Sequence, residues 1–517
     1  MRVVPQAIRA LQPLLEGIAR VERDCALTDI TQDSRAASPG CAFLACAGRT
    51  THGLRFATQA VERGARAILW EPALNAPAVP EFHSDIIVTP VDSLSVRAGE
   101  IADRFFGAPS AQLAVTGVTG TNGKTTTAYL LAQLWTAFGS PAAYLGTIGT
   151  GLPGALTGAA LTTADAVTVQ RSLAEMLRLG ARHVIMEVSS HALDQGRVNG
   201  VRFRTAMFSN LSRDHLDYHS SMDAYAAAKA RLFERPELTA RIINIDDEFG
   251  AQLASRAAQP GHLLVTSRRQ QASLPGRTAM DARYVRAVGL VSDARGLTIA
   301  IESSWGNCDL QTPLIGAFNI DNVLLALAAL LDGGVELPIA AGAFRHIEAP
   351  PGRMQRFGAT GTAPLVLVDY AHTPDALANA LRAARAHCTG GGKLWVVFGC
   401  GGDRDVGKRP LMGAIAQQLA DAIVLTDDNP RGESPSEIIA AIRTGMQPPA
   451  VTSTDLLVLH DRRVAIATTL ERATAKDVVL VAGKGHEDYQ LYGSERRAFS
   501  DAAVIRDLLG AVAGVSA

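Results

Sequence analysis

The sequence has no paired cysteines, no long apolar run and no excess of one charge sign. Its six cysteines form no CxxC pair, which argues against a zinc ribbon and against a disulfide framework. No window reaches the roughly 18 uncharged apolar residues that a membrane span needs. Lys and Arg number 49 against 50 for Asp and Glu, a formal net charge of −1, which argues against a broad surface for nucleic acid or anionic membrane. We therefore expect a protein of the reducing cytoplasm with neither kind of partner.

The first residues also lack the apolar core of a signal peptide. Polar side chains interrupt MRVVPQAIRALQPLLEGIARVERD at Arg9, Gln12, Glu16 and Arg20, whereas an export signal keeps an unbroken apolar segment. No internal repeat or low-complexity tract is present. With so little net charge, an acidic substrate would have to be bound by a few placed Arg and Lys residues.

The 517 residues, 47% of them hydrophobic and 19% charged, predict a globular protein of several domains. Strand candidates alternate with helix candidates along the chain, which predicts an α/β fold with parallel sheets covered by helices. A Gly-Ala-Pro turn in FFGAPS and the proline-rich EAPPGRMQRF at 348–357 indicate two boundaries. We predict domains at residues 1–107, 108–345 and 346–517.

The last of these domains is predicted to be a Rossmann-like, doubly wound module. Its four strand candidates are PLVLVDY, KLWVVFG, AIVLTD and VVLVAG. Polar or glycine-rich sequence follows each of them: DYAHTPD, GCGGDRDVGKRP, DDNPRGESP and GKGHEDYQ. In such sheets ligands bind beyond the carboxyl ends of the strands, so we expect these four loops to converge on one site.

The central domain begins with a strand, a glycine-rich loop and a helix. TGTNGKTTT at 119–127 brings backbone amides, a lysine and hydroxyls to a helix start, which favours phosphate. Lys124 would reach the β and γ phosphates of ATP, and Thr125 would ligate Mg²⁺. The segment does not match the strict phosphate-loop pattern GxxxxGK[ST], because Val118 stands at the first glycine position. The predicted ATP-binding residues here are Gly120, Thr121, Asn122, Gly123, Lys124, Thr125 and Thr126.

An acidic residue, Glu187, ends the buried strand candidate at 183–188. A carboxylate at this position is a second Mg²⁺ ligand in phosphate-loop enzymes. The alternative is a cap for the helix that follows.

Seven motifs appear in the order and rough spacing of the Mur ligase family, and they cover nearly the whole chain: TGTNGKTTT, MEVSSHAL, FSNLSRDHLDYH, VDYAHTPD, FGCGGDRDVGKRP, DDNPRGES and VAGKGHE. The chain resembles this family; folylpolyglutamate synthetases share only part of the set. The resemblance implies three domains, for a UDP-sugar, for ATP and for an incoming amino acid. The DNPR sequence is most similar to members that add meso-diaminopimelate to UDP-N-acetylmuramoyl-L-Ala-D-Glu in peptidoglycan synthesis, and we expect a monomer.

The resemblance also implies roles for single residues. The muramoyl substrate would contact residues of the first two domains: Ser34, Arg49, Thr50, Thr51, Thr162, Thr163, Ser189, Gln195 and Arg197. Leu161 and Ala164 stand where the family pattern favours Asn and Pro. His215 resembles the family's metal-contacting histidine, in a polar cluster with Asp214, Asp217 and His219 that we expect outside the core. Lys229 aligns with a lysine that the family carries as a carbamate able to bind a second Mg²⁺; without the family, it would be a solvated helix residue.

The far end of meso-diaminopimelate carries an ammonium and a carboxylate. Arg404 and Arg431 can offer a planar donor fork to the carboxylate. Asp428 and Glu487 can accept from the ammonium, and Gly483 lets backbone approach the ligand. The residues expected to contact meso-diaminopimelate also include the rest of the loop, Asn429 and Pro430. For DNPR alone, the alternative is an Asp-Pro turn before a helix.

The resemblance also implies nucleotide contacts by Asp369, Tyr370, His372, Asn319 and Asn322. The asparagine and histidine side chains could instead cap helices. The implied reaction phosphorylates the γ-carboxylate of the D-glutamyl residue, and an amine attacks the acyl phosphate. Lys124 and two Mg²⁺ ions would neutralise charge on the transferring phosphoryl group, and closure of the last domain would exclude water. No residue is identified as the base for the amine.

The sequence leaves three alternative functions. Another Mur-type or folyl ligase would not need the DDNPR loop. A NAD-dependent oxidoreductase is disfavoured because Arg404 stands at the third glycine position of GxGxxG in FGCGGDR. A non-catalytic ATP-responsive regulator would have no reason to carry Glu187, His215 and Lys229 together.

Overall fold

The computed structural model describes residues 8–159, 161–256, 261–269, 282–293, 295–358, 363–388, 390–447 and 455–514. The chain divides into two compact units, whose main spans are the residues up to 265 and those from 284 onward. In the described part, no helix is both long enough and apolar enough to cross a membrane. All six cysteines are free thiols, which confirms that no disulfide framework holds the fold.

The first unit begins with a small parallel sheet in the order β3-β4-β5-β6. Apolar side chains of these strands and of α3 form its core, with Leu44, Leu69 and Ile101 almost completely buried. The elements of this layer are β1 (Arg9–Ala10), α1 (Leu11–Leu14), β2 (Ala26–Leu27), β3 (Ile30–Thr31), β4 (Ala42–Ala45), α2 (Ala57–Glu62), β5 (Ala67–Trp70), β6 (Ile87–Pro90), α3 (Leu94–Phe106) and α4 (Pro109–Gln112), with 3₁₀ turns at Ser34–Ala36 and Gly53–Phe56.

The rest of the first unit contains a larger sheet in the order β13-β12-β11-β7-β10-β8-β9. Its central strands are parallel, and β9 is antiparallel to β8. The elements are β7 (Ala114–Thr119), α5 (Lys124–Ala137), β8 (Ala142–Gly146), β9 (Gly149–Gly151), α6 (Ala166–Arg178), β10 (His183–Glu187), α7 (Ser190–Asp194), β11 (Phe203–Phe208), α8 (Leu216–His219), α9 (Met222–Ala230), β12 (Ala240–Asn244), α10 (Glu248–Ser255) and β13 (His262–Ser267).

The second unit begins with three antiparallel strands and two helices. In β15 the side chains alternate, so that Leu297, Ile299 and Ile301 are buried, as expected for a sheet with one face on the core. The elements are β14 (Arg283–Asp293), β15 (Gly296–Ser303), β16 (Gly306–Thr312), α11 (Asn319–Asp332) and α12 (Leu337–Ala343), followed by a 3₁₀ turn at Phe344–His346.

The second unit continues as a doubly wound sheet in the order β17-β18-β22-β19-β20-β21. All neighbouring pairs are parallel except β17 with β18. The elements are β17 (Gln355–Gly358), β18 (Leu365–Asp369), α13 (Pro374–Arg385), β19 (Leu394–Phe398), α14 (Lys408–Leu419), β20 (Ala422–Leu425), α15 (Pro435–Arg443), β21 (Asp455–Val458), α16 (Arg462–Arg472), β22 (Val478–Ala482), β23 (Tyr489–Tyr492), β24 (Glu495–Ala498) and α17 (Asp501–Gly514).

The apolar runs of the predicted strands are explained by burial on both faces of this sheet. Along β18, Leu365 and Leu367 pack into one core, whereas Val366 and Val368 pack into the core on the opposite face. Unbroken apolar strands are typical of parallel sheets covered by helices. The predicted doubly wound module is therefore confirmed, and its four polar loops follow the carboxyl ends of neighbouring strands.

Candidate active site

The predicted phosphate loop joins β7 to α5. Gly120 and Gly123 have φ values of +148° and +84°, a region that favours glycine. A Cβ on Gly120 would lie 2.0 Å from Ser209 Oγ, so only glycine fits there. Ser209 Oγ donates to the carbonyl of Asn122 at 2.5 Å, and the amide of Asn122 donates to Asn210 Oδ1 at 3.0 Å. The segment after β11 therefore fixes the loop at the N-terminus of α5.

Two lysine side chains meet at one carbonyl of this loop. Lys124 Nζ donates to the carbonyls of Gly120 at 3.0 Å and Thr121 at 2.9 Å. Lys229 Nζ, from α9, donates to the same Gly120 carbonyl at 2.8 Å. Lys229 is only 1% exposed, so it is not a solvated helix lysine. Burial, with a smaller effect of Lys124, holds the pKa of Lys229 well below its ordinary value.

Glu187 ends β10 and is 1% exposed. Its Oε1 accepts hydrogen bonds from the Tyr144 hydroxyl and from the amide of Thr147, and its Oε2 accepts one from Thr147 Oγ1 at 3.2 Å. The helix that follows is capped by Ser189, whose Oγ accepts from the amide of Ala192 at 3.2 Å. The alternative of Glu187 as the helix cap is therefore wrong.

The polar cluster around His215 is only partly exposed. The side chain of His215 is 46% exposed, and its Nε2 lies 3.5 Å from Asp214 Oδ2. His219 is instead buried, with Nε2 2.9 Å from Ser190 Oγ, and burial lowers its pKa. The expectation that the cluster lies outside the core is wrong for His219, because its ring packs beneath α7. The side chain of Asp217 lies outside the part that the structure describes.

Several residues expected for the muramoyl substrate form one network. Arg197 donates through Nη1 to the carbonyl of Thr163 at 2.9 Å, and through Nε and Nη2 to Gln195 Oε1 at 2.8 and 2.6 Å. Gln195 Nε2 donates to the Tyr218 hydroxyl at 3.0 Å. The guanidinium of Arg49 stacks 4.3 Å from the centre of the Tyr218 ring. The first domain and the central domain thus both contribute to this cationic surface.

The same network continues to Glu187. Thr163 Oγ1 donates to the carbonyl of Glu187 at 2.9 Å and accepts from the amide of Ser189 at 3.1 Å. Thr162 Oγ1 lies 3.0 Å from the hydroxyl of Thr147, which binds Glu187. A cavity of about 1310 Å³ opens beside Thr162 and Thr163. The predicted peptide-side residues therefore lie next to the predicted metal ligand.

Three of the expected substrate residues stand outside this network. Ser34 Oγ donates to Gln59 Oε1 at 2.6 Å. Thr50 and Thr51 are exposed in the loop after β4. Leu161, where the sequence departs from the family pattern, is 54% exposed at the mouth of the cavity.

In the second unit, the DNPR loop is joined to the loop after β19. Arg431 has a φ of +51°, which is unusual for a residue other than glycine. Its amide donates to the carbonyl of Leu491 at 2.9 Å, and its carbonyl accepts from Gly493 at 2.7 Å. Its Nη1 donates to the carbonyl of Gly402 at 2.8 Å, and the amide of Gly402 donates to the carbonyl of Asn429 at 2.9 Å.

A partly buried ion pair connects the same two loops. Arg409, 2% exposed, binds Glu433 with Nη1–Oε2 and Nη2–Oε1 distances of 2.8 and 2.9 Å. Glu433 Oε1 also accepts from the amide of Asp403 at 2.6 Å, and Asp403 Oδ2 accepts from Gly432 at 3.0 Å. Arg404, next in the chain, is exposed. Both arginines lie beside Gly401, because a Cβ there would meet Arg431 Nη1 at 2.8 Å and Arg404 Cγ at 3.8 Å.

The acidic residues expected for the distal ammonium lie at the ends of β20 and β22. Glu487 Oε2 accepts from Asn429 Nδ2 and from Lys484 Nζ, both at 2.9 Å. Asp428 is 7% exposed, and burial raises the pKa of its carboxyl. Gly483 has a φ of +111°, and a Cβ on it would lie 2.6 Å from Asp428 Oδ2. The glycine therefore makes room for the Asp428 carboxylate itself.

The expected adenine-side asparagines bind each other. Asn319 Nδ2 donates to the carbonyl of Ile315 at 2.8 Å, and Asn322 Nδ2 donates to Asn319 Oδ1 at 2.8 Å. Neither side chain caps α11, whose N-cap is Phe318.

The residues after β18 form a tight turn. Asp369 accepts from Ala371 through Oδ1 at 2.9 Å and from Met354 through Oδ2 at 2.8 Å, and burial raises its pKa. His372 is exposed, with Nδ1 2.7 Å from the carbonyl of Tyr370. Asp369 thus supports the turn that presents His372.

Sequence reasoning missed the side chains that hold the expected residues in place: Tyr144, Thr147, Tyr218, Lys484 and Gln490. Tyr144 lies within an apolar strand, so nothing in its own segment marks it. Lys484 did carry a signal, because a lysine directly after a buried strand needs a nearby acceptor.

Comparison with known proteins identifies the family of this chain. Three family models match: "Mur ligase family, catalytic domain" over residues 27–106, "Mur ligase middle domain" over 118–330, and "Mur ligase, glutamate ligase domain" over 352–485. A UDP-N-acetylmuramoyl-L-alanyl-D-glutamate–2,6-diaminopimelate ligase from Alkalilimnicola ehrlichii is 47% identical over 97% of this chain and 98% of its own length.

Two further similarities span almost the full length. The ligase of the same name from Chromobacterium violaceum is 45% identical over 93% of this chain and 94% of its own. A solved structure of a ligase of that name has a TM-score of 0.70 and 35% identity, covering 98% of this chain and 99% of its own. The chain therefore belongs to the Mur ligase family of ATP-dependent acid–amino-acid ligases, as its motifs predicted.

Proposed function

We propose that the protein joins meso-2,6-diaminopimelate to UDP-N-acetylmuramoyl-L-Ala-D-Glu, with consumption of ATP, in peptidoglycan synthesis. The near-complete coverage of relatives named for this reaction supports the choice. The observation that carries it is the hydrogen-bonded connection between the loops of Arg404 and Arg431, the second of which also contains the buried carboxylate of Asp428. That arrangement fits an amino acid with both a carboxylate and an ammonium at its distal end.

Amide formation from a carboxylate requires a better leaving group than oxide. ATP supplies it by transfer of its γ-phosphoryl group to the γ-carboxylate of the D-glutamyl residue, which gives an acyl phosphate and ADP. The amine then attacks the acyl carbon, phosphate leaves, and the amine loses a proton. Lys124 and the amides at the start of α5 stabilise the negative charge on the transferring group. The loop contacts of Lys124 hold its ammonium at this position.

The Mur ligases use Mg²⁺ with ATP, and the donor types near the loop fit this ion in part. Thr125 offers a hydroxyl, Glu187 a carboxylate and His215 an imidazole. Among the described residues, no three His, Cys, Asp or Glu side chains lie close enough to form a metal site. An ion held by one or two carboxylates completes its coordination with water and phosphate oxygens. An additional anionic oxygen donor would be a further ligand. Bound Mg²⁺ would neutralise phosphoryl charge and orient the carboxylate oxygen.

Lys229 is proposed to supply that donor as a carbamate. Its lowered pKa favours a neutral amine; the amine nitrogen bonds to the carbon of CO₂, and one proton is released. The product is an anion with two oxygens in place of a neutral amine that lies near Lys124 at the Gly120 carbonyl. The modification gives the Lys124 ammonium an anionic neighbour and creates a Mg²⁺ ligand.

The muramoyl substrate is proposed to bind along the network of Arg49, Gln195 and Arg197, with its D-glutamyl end near Thr162, Thr163 and Ser189. The cationic surface there suits the diphosphate and the peptide carboxylates. Ser34, Thr50 and Thr51 are proposed to contact the UDP-sugar portion of the muramoyl substrate. Asn319 and His372 are proposed to contact ATP.

We further propose domain boundaries at 1–107, 108–345 and 346–517, which enclose the three family matches. We also propose a monomer in the cytoplasm. The near-zero net charge supports the absence of broad membrane or nucleic-acid surfaces.

The proposed function is tested by phosphate release from ATP by the purified protein. Release should require UDP-N-acetylmuramoyl-L-Ala-D-Glu, meso-diaminopimelate and Mg²⁺ together, and mass spectrometry should detect the muramoyl tripeptide. Equal release with glycine or D-alanine in place of meso-diaminopimelate would reject this substrate while leaving the family membership intact.

A further inference from the structure

A buried histidine joins three segments of the second unit. His387 follows α13 and is 2% exposed. Its Nδ1 lies 2.6 Å from the carbonyl oxygen of Asp293, at the end of β14. Its Nε2 lies 3.3 Å from the amide nitrogen of Gly316, in the turn before α11. The ring therefore connects α13 to β14 and to that turn.

The two backbone partners fix the protonation state of the ring. A carbonyl can only accept, so Nδ1 carries the proton, and an amide can only donate, so Nε2 is the acceptor. The imidazole is therefore neutral, and burial lowers the pKa of His387 below its ordinary value. A second proton would place an N–H group against the N–H of Gly316 and remove that hydrogen bond.

Two charged side chains act on the ring in opposite directions. The carboxylate of Asp293 favours the protonated ring, whereas the guanidinium of Arg356, on β17, disfavours it. The turn at 313–318 carries no ionisable side chain. The other ionisable groups around these segments are ion-paired or, for the thiol, kept uncharged by burial: Arg295 with Asp293, Arg268 with Asp321, Arg385 with Asp421, and Cys388. Burial therefore decides that the ring stays neutral.

The turn before α11 is packed tightly on α13. Ile315 is fully buried in the same apolar core as Leu381 and Ala384. A Cβ on Gly316 would lie 2.9 Å from the Cβ of Ala383, so a larger residue would push the turn away from the helix. The position of this turn thus depends on its contacts with α13 and His387.

One peptide group links His387 to Asn319, the proposed ATP contact. The group between Ile315 and Gly316 donates its N–H to His387 Nε2, and its carbonyl accepts from Asn319 Nδ2 at 2.8 Å. The carbonyl of Gly316 also accepts from the amide of Asn319 at 3.0 Å. A rotation of this peptide group would therefore move the side-chain amide of Asn319.

We propose that His387 is a positioning residue for ATP: the neutral ring fixes the peptide group that orients Asn319, and uptake of a proton releases that group and weakens ATP binding. This inference rests on the proposed function, in particular on the contact between Asn319 and ATP. Because the folded protein lowers the pKa of His387, the contact is complete above the ordinary value of about 6.5 and is lost as the pH falls through the lowered value. ATP affinity should thus be constant near neutral pH and fall in acid.

The test measures the Kd of ATP with Mg²⁺ by calorimetry, in a series from about pH 8 to about pH 5. His387→Phe keeps a ring and removes both nitrogens, so we expect its Kd near neutral pH to be about three- to tenfold higher than that of the unaltered protein. ATP itself titrates in this range, but equally for every protein compared. The ratio of two Kd values at one pH therefore reports on the residue alone.

His387→Gln is the conservative variant, because its side-chain carbonyl can accept from Gly316 and cannot be protonated in this range. Its Kd near neutral pH should lie within about twofold of that of the unaltered protein. At the acid end it should bind ATP more tightly than the unaltered protein does. A histidine with only a structural role would lower the melting temperature of His387→Phe and leave the Kd of the folded protein unchanged.

The control is His183→Phe, which removes another histidine whose pKa burial lowers, in this case to about 4, and whose ring stacks on Trp135. It should leave the Kd of ATP unaltered at each pH. An unchanged Kd in His387→Phe, or an acid loss that His387→Gln shares in full, overturns the inference. If Asn319→Ala binds ATP like the unaltered protein, the premise fails and the inference with it. Absence of ATP binding by the unaltered protein would instead reject the proposed function.

Discussion

Lys124 and Lys229 both direct Nζ at the carbonyl of Gly120, but their surroundings give them different chemistry. The side chain of Lys229, on α9, is fully buried, and burial holds its pKa well below its ordinary value. Lys124 begins α5, where the unpaired amides of the helix favour an anion. One lysine is therefore suited to bind phosphate as a cation, and the other to react as a neutral amine.

We expect Lys124→Ala to lose about 10²–10³-fold in kcat, because its charge is needed mainly as the phosphoryl group transfers. The melting temperature should stay within a few degrees of the unaltered protein. Phosphate release and thermal unfolding measure the two quantities, and Lys476→Ala, at an exposed turn, is the control. Near-normal turnover of Lys124→Ala would reject the assignment of the phosphate loop.

Lys229→Ala should be at least about tenfold less active, as expected when a group that orients a metal is lost. Added formate or acetate should restore part of the activity, since either can enter the space of the carbamate. A density map at high resolution should extend beyond Nζ in the unaltered protein. Full activity of Lys229→Ala without added carboxylate would contradict the proposed carbamate.

Asp428→Asn should stabilise the protein although it damages the site. The folded state raises the pKa of this carboxyl, so ionisation destabilises the fold at any pH above its ordinary value of about 4. Asn removes that cost, and we expect a gain of a few degrees in melting temperature at pH 7.5. The gain should shrink as the pH falls toward 4. A lower melting temperature at pH 7.5 would mean that a partner already balances Asp428.

Among the elements, long apolar strands and helices were predictable, and short edge strands were not. The runs PLVLVDY and KLWVVFG became β18 and β19, because both faces of their sheet are covered. β21 has mostly exposed side chains and forms by pairing with β20, so its own sequence carries little signal. In the hairpin β23–β24, all residues of β24 are likewise exposed. The alternation of apolar and polar residues in GLTIAIES is a sequence signal for β15.

That hairpin supports the DNPR loop, so a change in it should alter substrate affinity. Gln490→Leu removes the amide that binds the carbonyls of Asp427 and Asp428 and keeps the side-chain volume. Two buried carbonyls would lose a donor, at a cost of about 1–3 kcal/mol. We expect a higher KM for meso-diaminopimelate and an unchanged KM for ATP in steady-state kinetics. Arg497→Ala, at an exposed position of β24, is the control.

For the whole molecule, sequence motifs predicted which residues carry chemistry, but not which side chains those residues contact within the fold. Glu487 and Asp428 looked equivalent as acceptors, yet only the fold pairs Glu487 with Lys484. Asn319 and Asn322 looked like ligand contacts, and the fold joins them to each other. Hydrogen bonds and ion pairs between distant segments depend on the order of the strands in the sheet. The spacing of motifs along the chain does not specify that order.

The choice of amino acid is the property of the whole enzyme that separates it from other Mur ligases, because turnover requires all three substrates at once. L-Lysine has the distal ammonium of meso-diaminopimelate but lacks the carboxylate. It would leave Arg404 and the remaining donors of Arg431, whose Nη1 binds the Gly402 carbonyl, without that partner. Sites built around such donors reject an analogue that lacks the partner by roughly 10⁴-fold. We therefore expect kcat/KM for L-lysine and L-ornithine to fall below that for meso-diaminopimelate by about this factor. Arg431→Ala should lower kcat/KM for meso-diaminopimelate while the KM for ATP stays unchanged. L-Lysine within tenfold of meso-diaminopimelate would refute the role of the two arginines and leave the ligase chemistry of the phosphate loop standing.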